Sequence, residues 1–132
     1  MAKAKKAKQI RLETPNEVGM LQKVSAAIAK AKVNINALCA YGMGEKGQFL
    51  LLVDRPAKAK SALSKAGFSP TEEEAILVEM VNRPGEMQRV SEKISGGGID
   101  INYVYGSAGS GASNFCVFKT NDDFKAIKAL RK

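Results

Sequence analysis

Apolar residues recur along this chain with two alternating periods. Leu21, Val24, Ile28 and Ala31 follow helical spacing, and so do Met87, Val90 and Ile94. Before each helical run lies a stretch that reads as a short strand, Gln9–Glu13 and Ala75–Val81, the second with an ILVEMV run. Turn chemistry separates strand from helix, Pro15-Asn16 in the first case and Asn82-Arg83-Pro84-Gly85 in the second. After each helix a stretch with period two predicts another strand, 33–41 and 99–105. Its alternation places Val33, Ile35, Ala37 and Cys39 on one face and Asn34 and Asn36 on the other. The same reading puts Tyr103 and Tyr105 on the apolar face, mainly as core.

Glycine-rich turns at 42–47 and 106–111 join these strands to QFLLLV (48–53) and NFCVFK (114–119), a hairpin signal. The second turn, GSAGSG, has no Lys-Ser/Thr after it, so it reads as a mobile hairpin and not a phosphate cradle. Final helices are expected over Pro56–Ala66 and Asp122–Lys132. Pro56 opens one, and Asn121 or Asp122 caps the other. Gly67 stops the first of these helices, and Gly96-Gly97-Gly98 stops the helix before the second hairpin. FSPTEEE (68–74) is expected as a polar edge strand, with Glu72–Glu74 solvated.

The pattern repeats because the sequence does. Shifted by 66 residues, the chain aligns with itself without a gap. Ten of the 27 positions from 10 to 36 are identical, among them Asn16/Asn82, Gly19/Gly85, Ser25/Ser91 and Asn36/Asn102. Roughly two identities would arise by chance at ordinary residue frequencies. Continued, the alignment matches Phe49 with Phe115. Two copies of one supersecondary unit follow. Each copy is β-α-β-β-α-β, the ferredoxin-like split motif, and the second lacks its last strand because the sequence stops at Lys132. The fold class is α+β, with a basic flexible tail at 1–8, one unit at 9–74 and another at 75–132. The uncovered edge of the second unit makes a homodimer the expected assembly.

Composition narrows the function. The 132 residues include no histidine, which removes His-based nucleophiles and metal sites. Cys39 and Cys116 lie far apart inside apolar strands and read as small hydrophobes. Met20, Met80 and Met87 read as core or pocket lining. No apolar run is long enough to span a membrane, and the N-terminus has no secretory pattern. The net charge is +8, and Lys3, Lys5, Lys6 and Lys8 supply half of it. The excess therefore reads as a solvated tail and not as a basic face. An enzyme is not expected. A nucleic-acid-associated protein using the Lys-rich tail is the alternative reading, weakened by the absence of a basic–aromatic pattern on the central strands.

A ferredoxin-like unit with NRPGEMQRVSEKISGGGIDIN in its second copy and PNEVGMLQKVSAAIAKAKVNIN in its first resembles the ACT domain. The resemblance covers nearly all of 9–132 and implies a tandem ACT protein of the free-standing amino-acid-binding regulatory kind. It implies a small-molecule ligand such as an amino acid and a regulated metabolic enzyme as partner, while composition makes a cytoplasmic protein with no cofactor, metal or membrane the expectation and disfavours nucleic acid. The NRPG stretch is similar to serine-sensing ACT domains, in which an asparagine of the first loop and a residue opening the second strand contact the ligand. Those positions are Asn82 and Asp100 in copy two and Asn16 and Asn34 in copy one. By the same resemblance the ligand sits between two units, Asn16 facing Asp100 and Asn82 facing Asn34. Val18, Gly19 and Met20 accompany the first loop, and Pro84, Gly85 and Glu86 the second.

These residue types suit a zwitterion. A glycine between strand and helix lets the backbone approach a ligand. Free N–H groups at the helix start favour a carboxylate. An Asn carbonyl or the Asp100 carboxylate accepts from an ammonium group. Each residue also has a plain structural role open to it: Asn16 as a helix cap, Asn82 as a turn former, the glycines as packing.

Overall fold

The computed structural model describes residues 2–107 and 111–132. Ten elements follow in order: β1 Lys3–Pro15, α1 Met20–Lys30, β2 Ile35–Met43, β3 Lys46–Val53, α2 Pro56–Lys65, β4 Thr71–Val81, α3 Glu86–Gly96, β5 Ile101–Ser107, β6 Ser113–Thr120 and α4 Asp123–Leu130. They form two compact units, residues 8–73 and residues 1–7 with 74–132. β1 and β4 each give one stretch to either unit.

In the 8–73 unit the strand order is β2-β3-β1-β4. The ladders are antiparallel, with Ile10 opposite Leu51 and Leu38 opposite Leu51 on its other side. α1 and α2 cover one face. Ile10, Leu12, Val24, Ile28, Leu51, Ala59 and Leu63 form its core. Each buried valine, leucine or isoleucine among them contributes ~1.5–3 kcal/mol. The Glu72–Glu74 stretch is not a partnerless edge. Glu72 pairs with Lys8 at 3.6 Å, Glu73 pairs with Arg11 at 3.5 Å, and the buried Gln9 amide donates to Glu73 at 3.1 Å.

The other unit has the order β1-β4-β6-β5, with α3 and α4 on one face over Ile76, Val78, Val90, Ile94 and Phe118. Its own repeat supplies three strands, as expected, and the fourth comes from the N-terminus. This corrects the expected tail. Residues 3–7 are strand, Ala4 is buried at 7 % exposure among the core residues, and Arg131 donates to the Ala4 carbonyl at 3.2 Å. Alternation turns Ala4 into the core and Lys3 and Lys5 outward, and Lys6, on the Ala4 side of the strand, is exposed as well. The edge that suggested a homodimer is therefore filled within the chain. The free tail that motivated nucleic-acid binding is absent.

Two further expectations change. In β2 the pairing passes from Ile35–Val53 to Ala37–Leu52, so Asn36 bulges, and Asn102 does the same in β5. The bulge reverses the alternation. Ile35 packs against the helix-side core, whereas Ala37 and Cys39 take the opposite face. Likewise Tyr103 and Tyr105 lie outside the buried core, half-exposed and stacked with ring centroids 6.5 Å apart.

The gapless repeat also fails past the hairpin. Leu38 pairs with Leu51, thirteen residues on, but Val104 pairs with Phe118, fourteen on. One extra residue in the second hairpin makes Cys116, not Phe115, the counterpart of Phe49. Phe49 and Cys116 are both buried, and Phe115 is half-exposed. The expected mobile turn at 106–111 falls partly on 108–110, outside the described residues. No helix among the described residues is long and apolar enough to cross a membrane.

Candidate functional site

The strand-to-helix loops are built alike in both units. Gly19 (φ 85°) precedes α1 and Gly85 (φ 89°) precedes α3, both left-handed, with open space where a Cβ would stand. Glycine is required there for its backbone and not for close packing. Three residues earlier stands an asparagine that grips the unit's own hairpin. Asn16 Nδ2 donates to the Gly44 carbonyl at 3.0 Å, and Asn82 Nδ2 donates to the Gly111 carbonyl at 3.1 Å. Asn82 Oδ1 also accepts from Asn114 Nδ2 at 3.0 Å. Neither asparagine caps its helix, because the cap positions are glycines without side chains.

The residues just before the second strands are held through their backbone N–H groups by side chains of the loops that follow β3 and β6. Asn34 N–H donates to Asp54 Oδ1, and Asp100 N–H donates to Asn121 Oδ1 at 3.1 Å. The Asn34 amide donates to Asn36 at 2.9 Å. Asp122 takes the helix-capping role, accepting from Lys125 N–H at 3.0 Å.

A cleft of about 500 Å³ lies in the 74–132 unit at the N-terminal end of α3. Arg83, Pro84, Gly85 and Glu86 form one side, and Val104, Tyr105 and Gly106 of β5 another. Met80, Met87, Asn114 and Cys116 complete it. Of the expected site residues it gathers Pro84, Gly85 and Glu86. Asn82 stands beside it through its bond to Asn114, and Asp100 is not in its lining.

Glu86 is 2 % exposed, and Arg83 Nε donates to its Oε1 at 2.8 Å. That hydrogen bond holds its carboxyl below the ordinary value against the upward push of desolvation, and the charges of Arg83 and Arg89 add to it. Burial pushes the Cys116 thiol up. The cleft thus offers a cation, a buried carboxylate, an amide and the N–H end of an eleven-residue helix around an apolar wall.

The first repeat lacks this chemistry. Glu17 stands where the second has Arg83, Val18 where it has Pro84, and Met20 where it has Glu86. Met20 belongs to the core, and Val18 is fully exposed. The ladders place Gly47 where the second repeat has Asn114, since Thr14 faces Gly47 as Met80 faces Asn114. Arg83 and Asn114 are the site residues that the repeat pattern did not single out. The change of Glu17 to Arg83 is the signal that marks the first of them. Among the described residues no group of three or more acidic, cysteine or histidine side chains could hold a metal.

Known proteins agree with this architecture. The protein BT0572 from Bacteroides thetaiotaomicron is 28% identical, covering 97% of this chain and 88% of that one, with a TM-score of 0.90. The regulatory subunit of aspartate kinase from Thermus thermophilus, in its ligand-free form, is 17% identical over 98% of this chain and 94% of that one, with a TM-score of 0.71. Clostridium acetobutylicum aspartate kinase is 18% identical over 98% of this chain but only 32% of that one, with a TM-score of 0.61. No curated protein sequence matches the chain. The model of the ACT domain pair matches residues 6–130, nearly the whole chain, and the protein therefore belongs to the ACT domain pair family.

Proposed function

We propose that this protein is a non-catalytic sensor of a small amino-acid ligand that regulates a metabolic enzyme, and that the ligand occupies the cleft of the 74–132 unit. The observation that carries this reading is the Arg83–Glu86 pair at the mouth of an apolar cleft beside a helix N-terminus. The ligand carboxylate is received by Arg83 and the first N–H groups of α3. Its ammonium is received by the Glu86 carboxylate, and its side chain lies along Met87 and Val104. Asn82 acts by holding the hairpin that carries Asn114. The regulatory class is supported by family membership and by the aspartate kinase regulatory subunit that shares the fold.

The first repeat has no matching cation, so one site per chain is expected, with Asn16, Gly19, Met20 and Asn34 in structural roles and Val18 exposed on the loop. Calorimetric titration of the full chain against the twenty amino acids tests the reading. At least one should bind with a stoichiometry near one, and Arg83→Ala should weaken it about tenfold or more. Silence across the panel, or binding indifferent to Arg83→Ala, overturns it.

A further inference from the structure

We propose that the groove between α1 and α2 docks an acidic amphipathic helix of a partner protein. The groove measures about 440 Å³ and lies within the 8–73 unit. Ala27 and Ala31 of α1, with Ala62 and Ala66 of or just past α2, give it a floor of methyl groups. Lys30 rims one side, and Lys58 and Lys65 rim the other. The two on α2 are seven residues apart, two turns along one helix face. All three are exposed and have no ion-pair partner among the described residues.

The charge is not incidental to a lysine-rich chain. α1 and α2 carry Lys23, Lys30, Lys58, Lys60 and Lys65 and no acidic residue. The matching helices of the other repeat carry Glu86, Glu92 and Asp123 among their cations. A basic face therefore exists, on helices and not in a tail, which revises the reading of the net charge from sequence.

An apolar seam flanked by cations on both sides is the geometry that receives a third helix. Small floor residues allow close approach of a helix backbone, and flanking charges select a partner with glutamates beside its apolar stripe. A nucleic acid fits less well. Apart from the Ser61 hydroxyl the floor is methyl groups, the rim has no arginine, and no aromatic lines the groove for a base to stack on. This inference does not depend on the amino-acid cleft, which lies in the other unit.

The test uses the full chain and a fluorescein-labelled peptide of three heptads, alanine and leucine along one stripe and glutamate on both flanks. Controls are the glutamine-for-glutamate peptide, a scrambled peptide of the same composition, duplex DNA and anionic lipid vesicles. Anisotropy should show binding of the acidic helix that weakens as salt rises. Lys30→Glu, Lys58→Glu and Lys65→Glu combined should weaken it about tenfold or more, and the glutamine and scrambled peptides should bind comparably worse. Lys60→Glu, a reversal outside the groove lining, should change it less than about threefold. Circular dichroism of the triple variant confirms that these exposed changes leave the fold intact. No binding of the helical peptide, equal binding of the scrambled one, or no effect of the triple reversal overturns the proposal. So does tighter binding of DNA or vesicles that the same reversal abolishes.

Discussion

Arg83 Nε donates to Glu86 Oε1 at 2.8 Å across a single turn, and Arg89 approaches the same oxygen at 4.0 Å from the next turn of α3. A carboxylate that is 2 % exposed at a helix N-terminus is thereby neutralised on two sides while still lining the cleft. The first repeat fills the same position with Met20, a core residue without charge.

The pair predicts a pH dependence. The Glu86 carboxyl is depressed in the folded state, so its contribution is present above the unfolded value of about 4.3 and fades as pH falls through the lower folded one. Urea unfolding of the protein and of Glu86→Gln should differ at pH 7, and the gap should shrink as pH falls from 7 through the unfolded value of about 4.3 and below it. A constant gap across that range would show that Glu86 titrates alike folded and unfolded.

Gly85→Ala and Gly19→Ala should each cost about 1–2 kcal/mol, because the new methyl meets open space and only the left-handed backbone resists it. Asparagine at either position should cost visibly less than alanine. Denaturant unfolding of the four variants measures both differences. An alanine variant as stable as the parent would mean that the loop relaxes out of its φ near 85–89°.

Removing residues 1–7 should strip one unit selectively. It takes away the strand beside β4, the buried Ala4 and the Arg131 bond to the Ala4 carbonyl. Hydrogen exchange should accelerate at Ala75–Val81 and in α4, while Ile10, Leu12, Leu51 and their neighbours keep their protection. A milder version, Ala4→Glu, places an unpaired charge in that core and should destabilise it by at least about 2 kcal/mol. Uniform loss of protection along the whole chain would contradict the division into units.

The two cysteines should react at different rates. Cys116 is buried at 7 % exposure with its thiol pushed up, so little thiolate forms and access is poor. Cys39 is partly exposed on the sheet face away from the helices. Alkylation at pH 8 followed by mass spectrometry should label Cys39 first and reach Cys116 only on unfolding.

Much of this was legible in sequence because it is set by local chemistry. Helical spacing at Val24 and Ile28, and again at Val90 and Ile94, declared α1 and α3. The recurrence of Asn16 and Gly19 at Asn82 and Gly85 declared the repeat and its loops, and the ACT resemblance followed from them. Gly85 was in view for the same reason, and Pro84 and Glu86 through the ACT resemblance of the loop that carries it. Period, turn residues and internal identity need no knowledge of distant contacts.

Other features exist only once strands pair. Residues 3–7 look like a lysine-rich tail, yet a strand buries alternate residues. Ala4, with Ala2 packed against the same core, is enough when an open edge lies beside it. A bulge at Asn36 or Asn102 leaves no mark in composition, but one inserted residue turns every later side chain to the other face, which is why Tyr103 and Tyr105 left the core. Ladder register also decided that Cys116 and not Phe115 follows Phe49, and so brought Asn114 to the cleft beside Arg83. By itself the sequence determined the kinds of element, their order and their duplication. Tertiary pairing decided which faces are buried and which side chains meet, since those depend on a register summed over residues far apart in the chain.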